Sequence, residues 1–156
     1  MRSEEEVRGA IEKYGDMVLR LCMVYLKNRA DTEDIFQEVF FKYCTYNKEF
    51  MNDEHKKAWF IRVTVNACKD LLRSFFHKNA LSLEEYGDIA VIDKGQSEVF
   101  EALFKLPERN RSIVYLYYYE GYKAEEIAGM LSLNVNTVYT LLSRSKKLLK
   151  GILQDE

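Results

Sequence analysis

Apolar residues recur at spacings of three and four along most of the chain. In the first segment Val7, Ile11, Tyr14, Val18, Leu21 and Tyr25 fall on one face of a helix, which is the spacing an amphipathic helix requires. A break at residues 28–30 precedes Asp31, read here as the N-cap of a second helix over about 32–46. That start puts Glu33 and Asp34 in the first turn, where the helix dipole favours carboxylates. The polar stretch 47–53 reads as a loop and 54–76 as a third helix. Beyond His77 the periodicity lapses until Gln96, and the interval contains Gly87, Asp88, Asp93 and Gly95. That composition predicts a linker over 78–95, with at most one short turn capped by Ser82 and Glu85. Four further helices are expected at 96–105, 107–120 with Pro107 in first position, 123–131 and 135–153. The predicted architecture is all-α: two small helical domains, 1–77 and 96–156, joined by a flexible linker.

Three of these helices carry patterns beyond a simple core face. The second is apolar nearly all round, with Ile35, Phe36, Val39, Phe40, Phe41 and Tyr43, which leaves Glu33, Asp34, Gln37, Glu38 and Lys42 as a narrow polar strip. Such a helix is either central in its bundle or covered in part by a partner. The third has two stripes. Ile61, Val65, Cys68, Leu72 and Phe75 make a core row, and Trp59, Arg62, Asn66, Lys69 and Arg73 make a second row. An aromatic, an amide and three cations in line suit stacking and phosphate contacts with an opened nucleic-acid strand. The same row would be bland if Trp59 belongs to the core and the cations are merely solvated.

Residues 124–141 read as a helix-turn-helix, with Ile127, Leu131, Val138 and Leu141 spaced to pack two short helices and Ala128 small where they cross. Asn134 is the expected cap of the second helix, and Ser132 stands in the turn where Gly is common. With Val138, Leu141, Leu142, Leu148 and Leu149 turned inward, the outward face shows Asn136, Thr137, Tyr139, Thr140, Ser143 and Arg144, followed by Lys146, Lys147 and Lys150. Short hydrogen-bonding groups suit base edges and lysines suit phosphates. An ordinary solvated helix hairpin is the alternative. The tyrosines at 115, 117, 118 and 119 read as helix core and flank rather than as a ligand box.

Composition narrows the picture. In 156 residues, 47% hydrophobic and 31% charged, there are 7 Gly and 1 Pro, which excludes wholesale disorder and leaves too little turn punctuation for an all-β fold. Cys22, Cys44 and Cys68 form no CxxC pair, and His55 and His77 are the two histidines, so neither a zinc site nor a disulfide framework is expected. No cofactor motif, phosphate loop or nucleophile pattern occurs, and no catalytic site or metal site is predicted. The acidic opening Met1-Arg-Ser-Glu-Glu-Glu and the lack of a long apolar run predict a soluble, unexported, cytoplasmic protein without membrane insertion. The net charge of −2 conceals a segregation. Residues 28–54 set three cations against seven carboxylates, residues 55–78 set six cations against Asp70 alone, and residues 137–150 hold four cations and no carboxylate. Two basic segments and one acidic one suggest two nucleic-acid contacts and a separate surface for another partner.

Together these residues resemble the extracytoplasmic-function group of the sigma-70 family, the promoter-recognition subunits of bacterial RNA polymerase. Thr32-Glu-Asp-Ile-Phe-Gln-Glu-Val-Phe is similar to the region-two segment that docks on core polymerase, matching at Glu33, Asp34, Gln37, Glu38 and Phe40, with Phe41 beside them. Ala58 to Arg73 resembles the segment that melts and reads the minus-ten element, matching at Trp59, Arg62, Asn66, Asp70, Leu71, Leu72 and Arg73. Leu106-Pro-Glu-Arg-Asn-Arg, Tyr119-Glu-Gly-Tyr, Glu126-Ile-Ala, Thr137-Val and Leu142-Ser-Arg-Ser-Lys-Lys-Leu are similar to region four. The resemblance implies a region-two three-helix bundle, a region-four helix-turn-helix reading the minus-thirty-five duplex, and no hydrolytic activity. It implies core RNA polymerase, promoter DNA as duplex and single strand, and an anti-sigma factor as partners. Asn136, Thr137, Tyr139, Thr140, Ser143, Arg144 and Lys147 would meet the duplex, and Lys69 would join the minus-ten set. The chain departs from the family pattern at Val65, where Arg is common, and at Tyr139 and Leu141, where basic residues are usual. Without the resemblance, a stand-alone helix-turn-helix regulator and an interaction adaptor remain the other classes.

Overall fold

A computed structural model describes residues 1–26, 28–76 and 97–154. The chain divides into two compact units, Met1–Val91 and Ile92–Glu156. The predicted linker, with its turn at Ser82 and Glu85, lies outside the described residues, as do the side chains of Phe75 and His77.

The first unit is built from α1 (Glu4–Leu26), α2 (Arg29–Thr45) and α3 (Asp53–Phe76), each packed against the other two. Early in α1 the apolar row is only partly covered, and Ile11 is exposed. From Leu21 to Leu26 every residue is buried, so the helix passes from amphipathic to central. At the heart of the unit lies Phe60, fully buried, with ring centroids of Tyr14, Phe40, Tyr43 and Trp59 at 5.0, 5.2, 5.1 and 5.0 Å. Aromatic pairs at such separations add to their burial. The expected core row Ile61, Val65, Cys68 and Leu72 is buried, and it is widened by Phe60, Thr64 and Ala67. Thr64 satisfies its buried hydroxyl by donating to the Phe60 carbonyl at 2.6 Å.

Two helix starts differ from expectation in an instructive way. α2 begins at Arg29 because Asn28, extended at φ −147°, accepts the Asp31 N–H on its side chain at 2.9 Å; Asn28, not Asp31, is the cap. Likewise Asn52 Oδ1 accepts the His55 N–H at 2.8 Å at the start of α3. In both places an amide side chain supplies the acceptor that an orphan N–H needs.

The second unit comprises α4 (Ser97–Phe104), α5 (Glu108–Val114), a π-helical turn (Tyr115–Tyr119), α6 (Ala124–Leu131) and α7 (Val135–Gln154). Pro107, at φ −57° and ψ 149°, is the residue before α5 rather than its first helical residue. The helix expected to run to Glu120 instead widens at the tyrosines. The Glu120 N–H reaches the Tyr115 carbonyl at 3.1 Å, and the Tyr115 ring stacks on Tyr119 at 5.1 Å. The backbone there bonds to the fifth residue back instead of the fourth, the pattern of a π-bulge.

Ile127, Leu131, Val138, Leu141 and Leu142 are buried where α6 and α7 pack. Leu149 packs on Leu103, Leu106 and Val114. Leu148, expected to face inward, is 47% exposed, and the inward position of that turn is taken by Ser145. Ser145 is buried because its Oγ accepts from Asn110 Nδ2 at 3.0 Å, so a paired polar contact holds α5 to α7 where periodicity predicted leucine. Ser132 closes the turn between α6 and α7 in the left-handed conformation, φ 53° and ψ 47°, and the Leu133 N–H bonds back to the Ala128 carbonyl at 2.9 Å.

Candidate nucleic-acid interface

On α2 the side chains divide by helical geometry. Ile35, Val39, Phe40 and Tyr43 are buried, whereas Glu33, Asp34, Gln37, Glu38 and Phe41 are exposed on the outer side. Phe41 is 68% exposed; its neighbour Phe40 is 5% exposed, with the Phe36 ring at 4.7 Å and the Phe60 ring at 5.2 Å. This corrects the expected contact set. Phe40 is a core residue, and the outward aromatic is Phe41. The strip is laced by ion pairs one helical turn apart, Arg29–Glu33 at 3.3 Å and Glu38–Lys42 at 3.2 Å, each exposed and so worth little to stability.

On α3, Arg62, Asn66 and Arg73 are exposed and Lys69 is half-buried, on the side predicted for them. Arg73 is paired with Asp70 one turn away. Trp59 does not stand free. It is half-buried, with Tyr46, Phe50 and Tyr43 at 5.0, 5.7 and 6.0 Å in addition to Phe60. The indole therefore offers a supported surface rather than a mobile one.

Arg2 is a residue that the sequence did not single out. Its backbone N–H bonds the Cys44 carbonyl at 2.9 Å, its Nε the Tyr43 carbonyl at 3.1 Å and its Nη2 the Lys48 carbonyl at 2.7 Å. Its guanidinium lies 4.5 Å from the Tyr43 ring centroid. The end of α2 is thus met by a cation at the Tyr43 carbonyl, which also accepts the Tyr46 N–H, and by a backbone N–H at the Cys44 carbonyl, as the open carbonyls and the dipole favour. Lys56 covers the same Tyr43 ring at 4.9 Å. No local pattern announces a contact across 41 positions.

On α7, Asn136, Tyr139, Thr140, Ser143, Arg144 and Lys147 are exposed and Thr137 is half-buried. Asn134 Oδ1 accepts the Asn136 N–H at 2.8 Å, the cap expected of it. Thr140 Oγ1 donates to the Asn136 carbonyl at 2.9 Å. Tyr139 Oη donates to Glu125 Oε1 of α6 at 2.6 Å. That hydrogen bond holds the Glu125 carboxyl below its ordinary range and, with the carboxylate's charge, holds the Tyr139 phenol above its own. Glu125 is the second residue that sequence reasoning missed, because its partner lies across the turn.

Among the described residues, no group of His, Cys, Asp and Glu is arranged to hold a metal ion, and no helix is long and apolar enough to cross a membrane. Cys22 and Cys68 are buried and Cys44 half-buried, and the three are not joined in disulfides.

A helical protein with a capped helix-turn-helix, a cationic face on another helix and a separate acidic strip belongs to the class that binds nucleic acid together with a protein partner. Residues 10–74 match the family model for Sigma-70 region 2, and residues 96–149 match that for Sigma-70, region 4. The sequence is 34% identical over 137 residues to RNA polymerase sigma factor SigV of Bacillus subtilis, covering 84% of this chain and 81% of that one. It is 24% identical over 163 residues to the ECF RNA polymerase sigma factor SigW of the same organism, covering 93% and 87%. The fold is similar to CnrH in its complex with the cytosolic domain of CnrY, with a TM-score of 0.71 and 19% identity over 99% of this chain and 91% of that one. It is also similar to the sigma factor RpoE in complex with the anti-sigma factor NepR from Bartonella quintana, with a TM-score of 0.70 and 16% identity over 96% and 98%. The chain belongs to the sigma-70 family of RNA polymerase sigma factors, in its extracytoplasmic-function group, and its activity is promoter-directed transcription initiation.

Proposed function

We propose that three surfaces divide the work of initiation. Residues 1–77 act as region two, 96–156 as region four, and 78–95 as the connection that lets both reach one promoter. Glu33, Asp34, Gln37, Glu38 and Phe41 of α2 dock on bacterial core RNA polymerase, with Phe40 fixing the helix from inside. Trp59, Arg62, Asn66, Lys69 and Arg73 hold the unpaired minus-ten strand. Asn136, Thr137, Tyr139, Thr140, Ser143, Arg144 and Lys147 meet the minus-thirty-five duplex.

The observation that carries this reading is the exposed row on α7 of amide, hydroxyl and cation in a capped helix-turn-helix, the combination that suits base edges and phosphates. Opening DNA needs no bond chemistry: unstacking costs a few kcal/mol per base, and aromatic stacking returns about 1–3 kcal/mol per base. The protein is therefore not an enzyme, needs no cofactor, and works in the cytoplasm where polymerase and promoters are. Its net charge of −2 suits a factor that binds DNA poorly until polymerase holds it. The complexes of CnrH with CnrY and of RpoE with NepR support an anti-sigma factor as a further partner.

Core polymerase reconstituted with this protein, presented with a promoter library and probed for unpaired thymines, tests the assignment. Transcription from a defined promoter subset is expected, with Arg62→Glu losing strand opening while duplex binding persists and Arg144→Glu losing binding. No stimulation of core polymerase on any library member overturns it.

A further inference from the structure

We propose that Glu125 and Tyr139 act as a base-selecting pair, with the Glu125 carboxylate, held in place by the Tyr139 hydroxyl, accepting from the exocyclic amino group of a cytosine in the upstream element. The inference rests on the assignment of α7 to duplex DNA and names the ligand chemistry of that face.

Residues 136, 139, 140 and 143 share one exposed row of α7 at helical spacing. Apart from Tyr139, the row holds an amide and two short hydroxyls. Tyr139 is 51% exposed, yet its hydroxyl is engaged with Glu125 of α6. That bond fixes the ring against the neighbouring helix, and it brings a carboxylate to a face that otherwise lacks one: residues 135–150 contain no Asp or Glu.

An ionised carboxylate accepts hydrogen bonds and donates none. The Tyr139 bond lowers the carboxyl pKa, as does the charge of nearby Lys123, so the group is ionised at neutral pH. With one hydrogen bond taken, it retains acceptor capacity for a base. Guanine offers acceptors N7 and O6 on the major-groove edge, and thymine offers acceptor O4, so both are repelled. Adenine pairs its amino donor with an adjacent acceptor. Cytosine presents a lone amino donor and fits. The same charge repels phosphates, so the pair gives up non-specific affinity for base selection. No cation in the row can play this part, because a cation in the groove favours guanine.

The test uses holoenzyme assembled with core polymerase and a promoter library randomised over the upstream element. Wild type is compared with Glu125→Gln, Glu125→Ala and Tyr139→Phe, and thermal melting verifies that these exposed substitutions leave the fold intact. Wild type is expected to enrich cytosine at one position about tenfold over the other bases, the discrimination typical of one good side-chain contact. Glu125→Gln moves the preference at that position to adenine, whose N6 and N7 a glutamine matches. Glu125→Ala flattens it to within about twofold. Tyr139→Phe keeps the ring, releases the carboxylate and lowers the cytosine enrichment severalfold. Base preferences that stay the same in all four proteins, with only uniform changes in affinity, overturn the pair while leaving the sigma assignment intact. A wild-type holoenzyme that transcribes no library member overturns the assignment of α7 to DNA, and the pair with it.

Discussion

Adjacent phenylalanines on α2 should separate docking from folding. Phe41 is 68% exposed and Phe40 5%. Complete burial of a Phe side chain is worth about 1.5–3 kcal/mol. If docking covers what Phe41 leaves open, Phe41→Ala removes about 1–2 kcal/mol of binding, or a roughly 5- to 30-fold weaker Kd, because 1.4 kcal/mol is tenfold. Its stability should hardly change, since few folded-state contacts are lost. Phe40→Ala empties a site between the Phe36 and Phe60 rings and should cost about 3–5 kcal/mol of stability, as large-to-small core changes do. For a unit of this size that lowers Tm by more than about 10 °C. Anisotropy of labelled protein titrated with core polymerase gives Kd, and circular dichroism melts give Tm. Binding by Phe41→Ala within about twofold of wild type, in protein that melts normally, would falsify the docking assignment. A Phe40→Ala variant that melts like wild type would refute the packing argument.

Two substitutions test the local structure. Ser132→Gly should raise the stability of the second unit by about 0.5–1 kcal/mol, because a left-handed L-residue costs about 1–2 kcal/mol and glycine gives back about 0.5–1 in lost chain entropy; a lower Tm would show that the φ of 53° at Ser132 carries no such cost. Arg2→Ala should destabilise the first unit by about 1–3 kcal/mol through loss of its charged hydrogen bonds to Tyr43 and Lys48 carbonyls. Arg2→Lys should recover little of that loss, since an ammonium cannot bridge both carbonyls and cover the ring. Full recovery by lysine, read in chemical denaturation, would count against the clamp.

Helix existence was legible in the sequence because three- and four-residue spacing is local. The row Asn136, Tyr139, Thr140 and Ser143 emerges on the surface as the spacing implies. Periodicity places a stripe but not its width, which is why Phe60 falls outside the expected core row of α3; resemblance to a docking segment singles out Phe40 without saying which way its ring faces. Exchanges of one polar pair for one leucine are equally invisible: Ser145 turns inward because Asn110, 35 positions earlier, supplies its partner, and Leu148 is left outside. The cap shifts by three residues to Asn28 because Asn and Asp both favour that role, and it is Asn28 that is extended and accepts the Asp31 N–H. Contacts of Arg2 with α2 and of Glu125 with Tyr139 depend on how helices meet: the first spans 41 positions, and the second, though its partners are only 14 apart, is made across a turn that helical spacing does not describe.

The wide turn at Tyr115–Tyr119 behaves as an α-helix carrying one surplus residue. Each residue of an α-helix advances about 100° around the axis. Deleting one of Tyr117, Tyr118 or Tyr119 would let the turn relax to regular bonding, and everything after it, including α6, would enter rotated by about that angle relative to α5. The bearing of the helix-turn-helix on its own scaffold is thus set by a count of residues, and a single-codon deletion far from any base-reading side chain would re-aim it.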